Sequence, residues 1–479
     1  MTTATRKTHN KTRLGCANCK KRRIKCDCKH PICSNCEKRG HDCSFLLLAP
    51  SSQLSVKSVT SPRRTASPES LQQIDSAPHI TSPSLRSPRP PSSGLPPHLR
   101  CDDVWRDARE KLSPSLQDLL YHFEYTTALT LASQDPAKEA WQIAVPQLAA
   151  RHDFLTHHIL AIASLHLGRL HVRGDERSAM MNLSASQMNK ALSRYRPALE
   201  NINAENASAL FAGATLTAVY LFRQSTVEID ELRASISVKT KTSHTTAAVS
   251  KKMLESILRT IYGLRGPLAV LIPGFQYVLQ GQMGPVLDRN WWPHPSTFPS
   301  TEQAIDEDRR LARIEELWTE SKSETEPFSE ALAAALLYLR EAYALVSVLA
   351  QPDTEYPSHT SICYSYDSET ETNLKDRGAI FFWATKIPRE FLVLLEQKNR
   401  DALVIVAHYA VLPGRVRNTW WLEGLGSNMV IAVAMALGRD NWHLIEWPVK
   451  VLNVDLENAF TAKPDKLEGN LGEVPMEII

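Results

Sequence analysis

Apolar residues in the C-terminal four-fifths of the chain recur at three- and four-residue steps, the period of a helix with one buried face. LQDLLYHFEYTTALTLA places Leu116, Leu119, Leu120 and Phe123 on such a face, and AKEAWQIAVPQLAA places Trp141 on a second. HDFLTHHILAIASLHLGRL predicts a third helix, apolar at Phe154, Leu155, Ile159, Ile162 and Leu165, with Asp153 near its start as the cap. Residues 206–222, NASALFAGATLTAVYLF, are almost wholly apolar and are expected at the centre of the core. MLESILRTIYGL, SEALAAALLYLREAYALVSVL, AIFFWATKIPREFLVLLEQ and DALVIVAHYAVL continue the series. Strand-like alternation is scarce, so the expectation for residues 101–479 is a large all-α array of about ten to fourteen helices. Two polar, Ser/Thr-rich stretches, 226–248 and 352–374, predict long loops.

Before residue 101 the pattern stops. Residues 46–100 are dominated by Pro and Ser and have too little apolar surface to offset the ordering of the chain, which predicts a disordered linker. Its four Ser-Pro pairs, at Ser61, Ser67, Ser82 and Ser87, suit proline-directed phosphorylation, which would subtract positive charge. Residues 1–45 offer only Leu14, Ile24, Ile32 and Phe45 for an interior. Something other than an apolar core must hold this segment together.

The cysteines identify it. Seven of the nine lie between Cys16 and Cys43. No apolar run approaches the ~18 residues of a membrane span. The opening MTTATRKTHNKTR lacks the apolar stretch of a secretory signal, so thiols or metal ligands are expected rather than disulfides. The spacing is Cys16-x2-Cys19-x6-Cys26, then x6, then Cys33-x2-Cys36-x6-Cys43: one unit, C-x2-C-x6-C, written twice. Two tetrahedral zinc ions need eight ligand positions, and six thiolates fill them only if two bridge. The repeat points to the first cysteine of each unit. One ion would take Cys16, Cys19, Cys26 and Cys33, and the other Cys33, Cys36, Cys43 and Cys16. Metal binding would then supply about 10 kcal/mol or more of folding free energy. Each x2 loop is expected to lead into a short helix beginning at the second cysteine, with Ile24 turned inward. Cys28 reads as an exposed loop thiol, and His30 and His41 as solvent-facing.

Charge sharpens the picture. The whole chain carries a net +3. Residues 1–45 hold 12 Lys/Arg against 3 Asp/Glu, residues 46–100 hold 6 against 2, and residues 101–479 hold 37 against 47. A basic head on an acidic body is the partition of a chain whose head meets a polyanion. Lys20, Lys21, Arg22, Arg23 and Lys25 fall between the second and third cysteines.

This segment, with its basic run KKRRIKC, Asp27 after the third cysteine and Pro31 two residues before the fourth, resembles the fungal Zn2Cys6 binuclear cluster transcription factors. The resemblance implies a zinc-dependent, sequence-specific DNA-binding protein of the nucleus, acting at RNA polymerase II promoters with two zinc ions per chain. It also implies that the basic helix enters the major groove of a CG-containing element. Arg22 and Arg23 would approach bases, for which arginine's bidentate fork suits guanine, while Lys20 and Lys25 touch phosphates. Further on, WQIAVPQLAARHDFLTHHILAIASLHLGRL and WWLEGLGSNMVIAVAMALGRDNWHLIEWP are similar to blocks of the regulatory domain behind such clusters, most nearly those of sterol uptake control regulators. That similarity implies a sterol or other apolar ligand, with a pocket at Trp420, Trp421, Gly424, Gly426 and Met429. A regulator of a secondary-metabolite gene cluster with no sterol ligand is the alternative. No heptads follow the cysteines, so any homodimer is expected to form through the helical body. No catalytic residue is expected: there is no Walker loop, G-x-S-x-G or dinucleotide fingerprint, and the histidines at 152, 157, 158, 166 and 171 lack the i, i+4 pairing of a helical metal site.

Overall fold

The computed structural model describes residues 19, 22, 24, 26, 27, 33–39, 104–171, 174–238, 243–289, 291, 298–299, 301–319, 326–351, 363–366 and 371–459. The chain divides into two compact units, Met1–Arg89 and Pro90–Ile479. The expected linker, 46–100, lies outside the described residues.

The second unit is mostly helical. Its helices of eight or more residues, among the described residues, are α1 (Pro114–His122), α2 (Asp153–Leu170), α3 (Gly174–Ala198), α4 (Ala207–Val238), α5 (Ser243–Gln280), α6 (Glu302–Ala312), α7 (Glu326–Leu349), α8 (Arg389–Glu396), α9 (Arg400–Tyr409) and α10 (Leu425–Leu437). α2 packs along α3, α4 along α5, and α10 against α9, α5 and α4. The run read as central is so: Ala207, Ala209, Leu210, Ala212 and Leu216 on α4 have no exposed surface. Asp153 does not cap α2. His152 holds the cap position, and Asp153 faces Arg194 at 3.5 Å instead.

The loop expected over 226–248 is instead largely helix: α4 runs on to Val238, and α5 begins at Ser243. The hydroxyls that made this stretch look loop-like are used inside the helices. Thr226 Oγ1 donates to the Phe222 carbonyl at 3.0 Å, and Ser235 Oγ to the Leu232 carbonyl at 2.7 Å. Cross-helix partners do the rest: Ser256 Oγ donates to Glu228 Oε2 at 2.8 Å, and Arg259 also meets Glu228.

A second departure is a small antiparallel sheet of β1 (Ala350–Gln351), β2 (Cys363–Ser365) and β3 (Glu371–Leu374), in the order β1-β3-β2. Tyr364 pairs with Thr372, and Ala350 with Leu374. Strands this short and polar have no alternation to read. Burial of Tyr364 and Leu374 in the body holds them in place.

α7 corrects a third expectation. Phe328–Leu349 is long and apolar enough to span a membrane by composition. Its neighbours account for that composition. The Ala335 carbonyl accepts the Trp383 indole N–H at 2.9 Å, and Arg340 forms a two-pronged ion pair with Asp308 at 2.7 and 2.8 Å. Leu339 and Ala342 are wholly buried.

The histidines do not converge. His158 Nδ1 donates to the Phe154 carbonyl at 2.9 Å, His408 Nδ1 to the Val404 carbonyl at 2.9 Å, and His166 Nδ1 meets Thr127 Oγ1 at 3.0 Å. His157 bonds Gln187, and His171 pairs with Glu176. Burial lowers the pKa of His158 and His408 to about 4 and that of His166 to about 3. The folded pKa values lie below the unfolded value, so the unfolded chain binds more protons through this window. Stability is therefore full above about pH 6.5 and is lost as pH falls toward 4, by about 1.4 kcal/mol per pH unit for each histidine. Urea unfolding followed by circular dichroism at pH 7.5, 6.0 and 5.0 checks this.

Candidate metal centre and ligand cavity

In the first unit, Cys19, Cys26, Cys33 and Cys36 are buried, none more than 3% exposed. The sulfurs of Cys19, Cys26 and Cys33 lie within 4.8 Å of one another, and Cys19 Sγ is 3.7 Å from Cys33 Sγ. Sulfurs at the corners of a tetrahedron around zinc, each 2.3 Å from the metal, stand about 3.8 Å apart. The soft thiolate set and its spacing therefore fit zinc. Cys33 comes from the second cysteine unit and the other two from the first, so this cluster joins the two halves of the repeat.

A carboxylate ties the same halves. Asp27 Oδ1 accepts the Ser34 N–H at 3.1 Å, and Asp27 Oδ2 accepts the Ser34 hydroxyl at 2.6 Å, at the start of the helix Ser34–Glu37. That helix begins after the first cysteine of its unit, two residues earlier than the spacing suggested, because Asp27 supplies the acceptor at its N-terminus. Ile24, expected inside, is 37% exposed. Arg22 is half-buried. Cys16, Cys43, Cys28, Lys20, Lys21, Arg23 and Lys25 lie outside the described residues.

The helical body holds a cavity of ≈ 460 Å³ that is partly open to solvent. Its walls come from α4 (Phe211, Val219, Phe222) and α5 (Leu264, Leu268, Leu271), with Trp141 and the segment Leu131–Ala137 closing one side. Two short π-helical turns, Phe123–Thr127 and Ala140–Ala144, flank that segment, and the second turn carries Trp141. α5 contains Pro267 and Pro273 and leaves helical geometry at Gly274. The polar end is built by the residues after β3: Lys375, Asp376, Arg377 and Gly378, together with Arg289 and Trp291.

Of the five residues the sequence marked for a pocket, Trp421 alone lines this cavity. It stacks on Phe222 and Phe381, and its indole N–H donates to the Thr130 carbonyl at 3.2 Å. Trp420 turns the other way, stacked on His166 at 4.5 Å with its N–H on Thr130 Oγ1. Gly424 is the left-handed cap residue of α10, with φ of 77°, and Met429 is core at 1% exposure. Gly426 is a close-packing glycine. A Cβ there would stand 2.5 Å from both the Ala410 carbonyl oxygen and Gly414 Cα. Gly426→Ala is expected to destabilise the body by about 1–3 kcal/mol, read as a fall in the urea midpoint at unchanged slope. Arg377, Asp376 and Arg289 were not marked. Nothing in LKDRGAI distinguishes a buried arginine from a solvated one.

The comparisons with known proteins agree with both units. Residues 14–50 match the fungal Zn(2)-Cys(6) binuclear cluster domain, and residues 118–232 match the fungal specific transcription factor domain. The chain is 27% identical over 480 residues to a Zn(2)-C6 fungal-type transcription factor of Gibberella zeae, across 94% of this chain and 87% of that protein. It is 27% identical over 219 residues to the Zn(2)-C6 fungal-type transcription factor afumD of Aspergillus fumigatus, across 45% of this chain and 47% of that one. A shorter match, 54% over 44 residues, is to sterol uptake control protein 2 of Candida albicans, across 9% of this chain and 6% of that protein. A cysteine cluster of zinc-binding geometry, followed by a mostly helical regulatory domain, defines a class of metal-dependent DNA-binding regulators. The chain thus carries a Zn2Cys6 binuclear cluster domain ahead of a fungal specific transcription factor domain, and the longest of these matches is to a Zn(2)-C6 fungal-type transcription factor.

Proposed function

We propose that this chain is a nuclear regulator of transcription at RNA polymerase II promoters whose head reads DNA and whose body responds to an apolar effector. In this reading residues 1–45 hold two zinc ions through Cys16, Cys19, Cys26, Cys33, Cys36 and Cys43, residues 46–100 tether, and residues 101–479 regulate and form any homodimer. The zinc ions supply the rigidity that so few apolar side chains cannot, and set the basic run from Lys20 to Lys25 in a fixed place. Arg22 and Arg23 then address guanine edges of a CG-containing element, while Lys20 and Lys25 neutralise phosphates and Lys21 adds to the basic face. The observation that carries the reading is the buried trio of thiols drawn from both cysteine units, with Cys19 and Cys33 at 3.7 Å.

A sterol is the effector class that the resemblance to sterol uptake control regulators implies. The alternative is a pathway-specific regulator of a secondary-metabolite gene cluster without a sterol ligand. It draws support from the shortness of the sterol-control match: 44 residues cannot reach across a cavity whose walls run from Leu131 to Trp421.

Selection of bound sequences from random DNA with the full-length, zinc-loaded protein tests the DNA reading. CG-containing half-sites are expected, two at fixed spacing if the protein is a dimer. Affinity should fall steeply with salt and vanish on chelation. Recovery of no common sequence overturns it.

A further inference from the structure

The cavity has one feature that an effector made only of hydrocarbon does not explain. Arg377 lines it at 4% exposure. Its Nη1 donates to Thr419 Oγ1 at 3.1 Å, and the guanidinium lies over the Trp421 ring, 5.2 Å from its centroid. Its Nη2 has no hydrogen-bond partner among the described residues.

The neighbouring carboxylate is already engaged. Asp376 Oδ2 accepts from Arg289 Nε at 3.1 Å and from the Trp291 indole N–H at 2.9 Å, and Oδ1 accepts the Gly378 N–H at 2.8 Å. A Cβ at Gly378 would run into the Arg289 guanidinium. This packing holds Asp376 toward Arg289 and Trp291.

The body contains a second buried arginine for comparison. Arg415, also 4% exposed by side chain, meets Glu307 at 2.8 Å, so its charge is compensated from within the fold. Among the described residues, Arg377 has no such carboxylate. Burial lowers its pKa to about 9, partly offset by Asp376, which leaves it cationic at neutral pH. A buried cation without a counter-ion costs several kcal/mol, and the cost is removed if an anion enters with it.

We propose that the cavity takes an amphipathic carboxylic acid, its carboxylate paired with Arg377 and its hydrocarbon part lying along Val219, Phe222, Leu264, Leu268 and Leu271. The inference rests on the effector reading above and narrows its ligand class. One unpaired cation matches a monoanion. A phosphate dianion would leave negative charge over, since Lys375, Asp135 and Asp288 at the mouth are exposed to water. The volume of ≈ 460 Å³ falls within the ~300–1,000 Å³ of small-molecule sites. A guanidinium–carboxylate pair in such a site is worth about tenfold or more in affinity over a neutral hydroxyl.

Full-length, zinc-loaded protein is titrated with three fluorescent probes: cis-parinaric acid, its primary alcohol, and the sterol dehydroergosterol. The acid is expected to bind saturably and about tenfold or more tightly than the alcohol. Arg377→Met should abolish that preference by weakening the acid alone, and Arg377→Lys should retain part of it. Equal binding of acid and alcohol to the unaltered protein, or a preference that survives Arg377→Met, overturns the proposal. Sterol binding tighter than the acid's also overturns it, but leaves the effector reading standing. Saturable binding of none of the three removes both. If Arg377→Met does not fold, the acid-to-alcohol ratio of the unaltered protein and of Arg377→Lys decides.

Discussion

Cys33→Ser is expected to strip the head of zinc and abolish specific DNA binding, with affinity for the selected element falling at least 100-fold. Cys33 has no exposed surface, and its sulfur stands 3.7 Å from that of Cys19 although fourteen residues separate them. The repeat makes it one of the two cysteines expected to serve both ions. A serine hydroxyl cannot replace a shared thiolate, so both sites should fail together. Zinc contributes about 10 kcal/mol or more to a module of this kind, far beyond what Leu14, Ile24, Ile32 and Phe45 offer, and Ile24 is itself 37% exposed. Elemental analysis should find two zinc ions per chain before the change and fewer than one after it. Cys28→Ser, at a cysteine outside the repeat, should leave zinc content and affinity unchanged. Zinc content of one per unaltered chain, or unchanged DNA binding by Cys33→Ser, would contradict the two-ion assignment.

The second large effect is expected in the body. Glu307→Ala removes the only carboxylate paired with Arg415 among the described residues and leaves a buried guanidinium uncompensated. Arg415 Nη1 and Glu307 Oε1 are 2.8 Å apart, with side chains 4% and 6% exposed. The contact is an ion pair more than an aligned hydrogen bond. Tyr364, Tyr366 and Trp447 surround the guanidinium at 5.9, 5.1 and 5.8 Å. Burial works against its charge, but Tyr364 and Glu307 outweigh it and raise the pKa above its ordinary value. Breaking one side of such a pair costs about 3–5 kcal/mol, whereas replacing both partners with apolar residues of similar volume costs little. Urea unfolding of Glu307→Ala, compared with Glu307→Leu/Arg415→Met, separates the two. A double variant as unstable as the single one would show that packing, not charge, sets the loss. The pair also matters for the cavity: Arg415 sits beside β2, where the Ser365 N–H donates to the Arg415 carbonyl at 2.9 Å, and β2 holds β3, which leads into Arg377.

Local chemistry was legible wherever one residue type in one spacing left few alternatives. The doubled C-x2-C-x6-C needs no fold to suggest two shared metal ions, because ligand count and bond length are properties of zinc. The long helices were legible because α2 and α4 bury continuous apolar faces, and periodicity reports burial directly. Residues 226–248 were misread for the converse reason. Serine and threonine are neutral between loop and helix until a partner decides, and Glu228 meeting Ser256 and Arg259 on α5 is such a partner. The three strands were invisible because lengths of two to four residues carry no period.

The ligand site divides the same way. Trp421 was marked because the resemblance to sterol uptake control regulators implies a pocket at a glycine-containing loop, and Trp421 adjoins the matching segment. Gly426 was assigned to the pocket although its small size serves a helix approach to Ala410 and Gly414. Arg377 was missed, since its meaning depends on where water is excluded. Sequence by itself determined the metal chemistry, the basic head, the helical body and most helix positions, because each is set by residue type and spacing over a few turns. Only the tertiary structure decided which arginine keeps a carboxylate and which faces the cavity without one among the described residues, because burial and pairing are properties of segments far apart in the chain brought into contact.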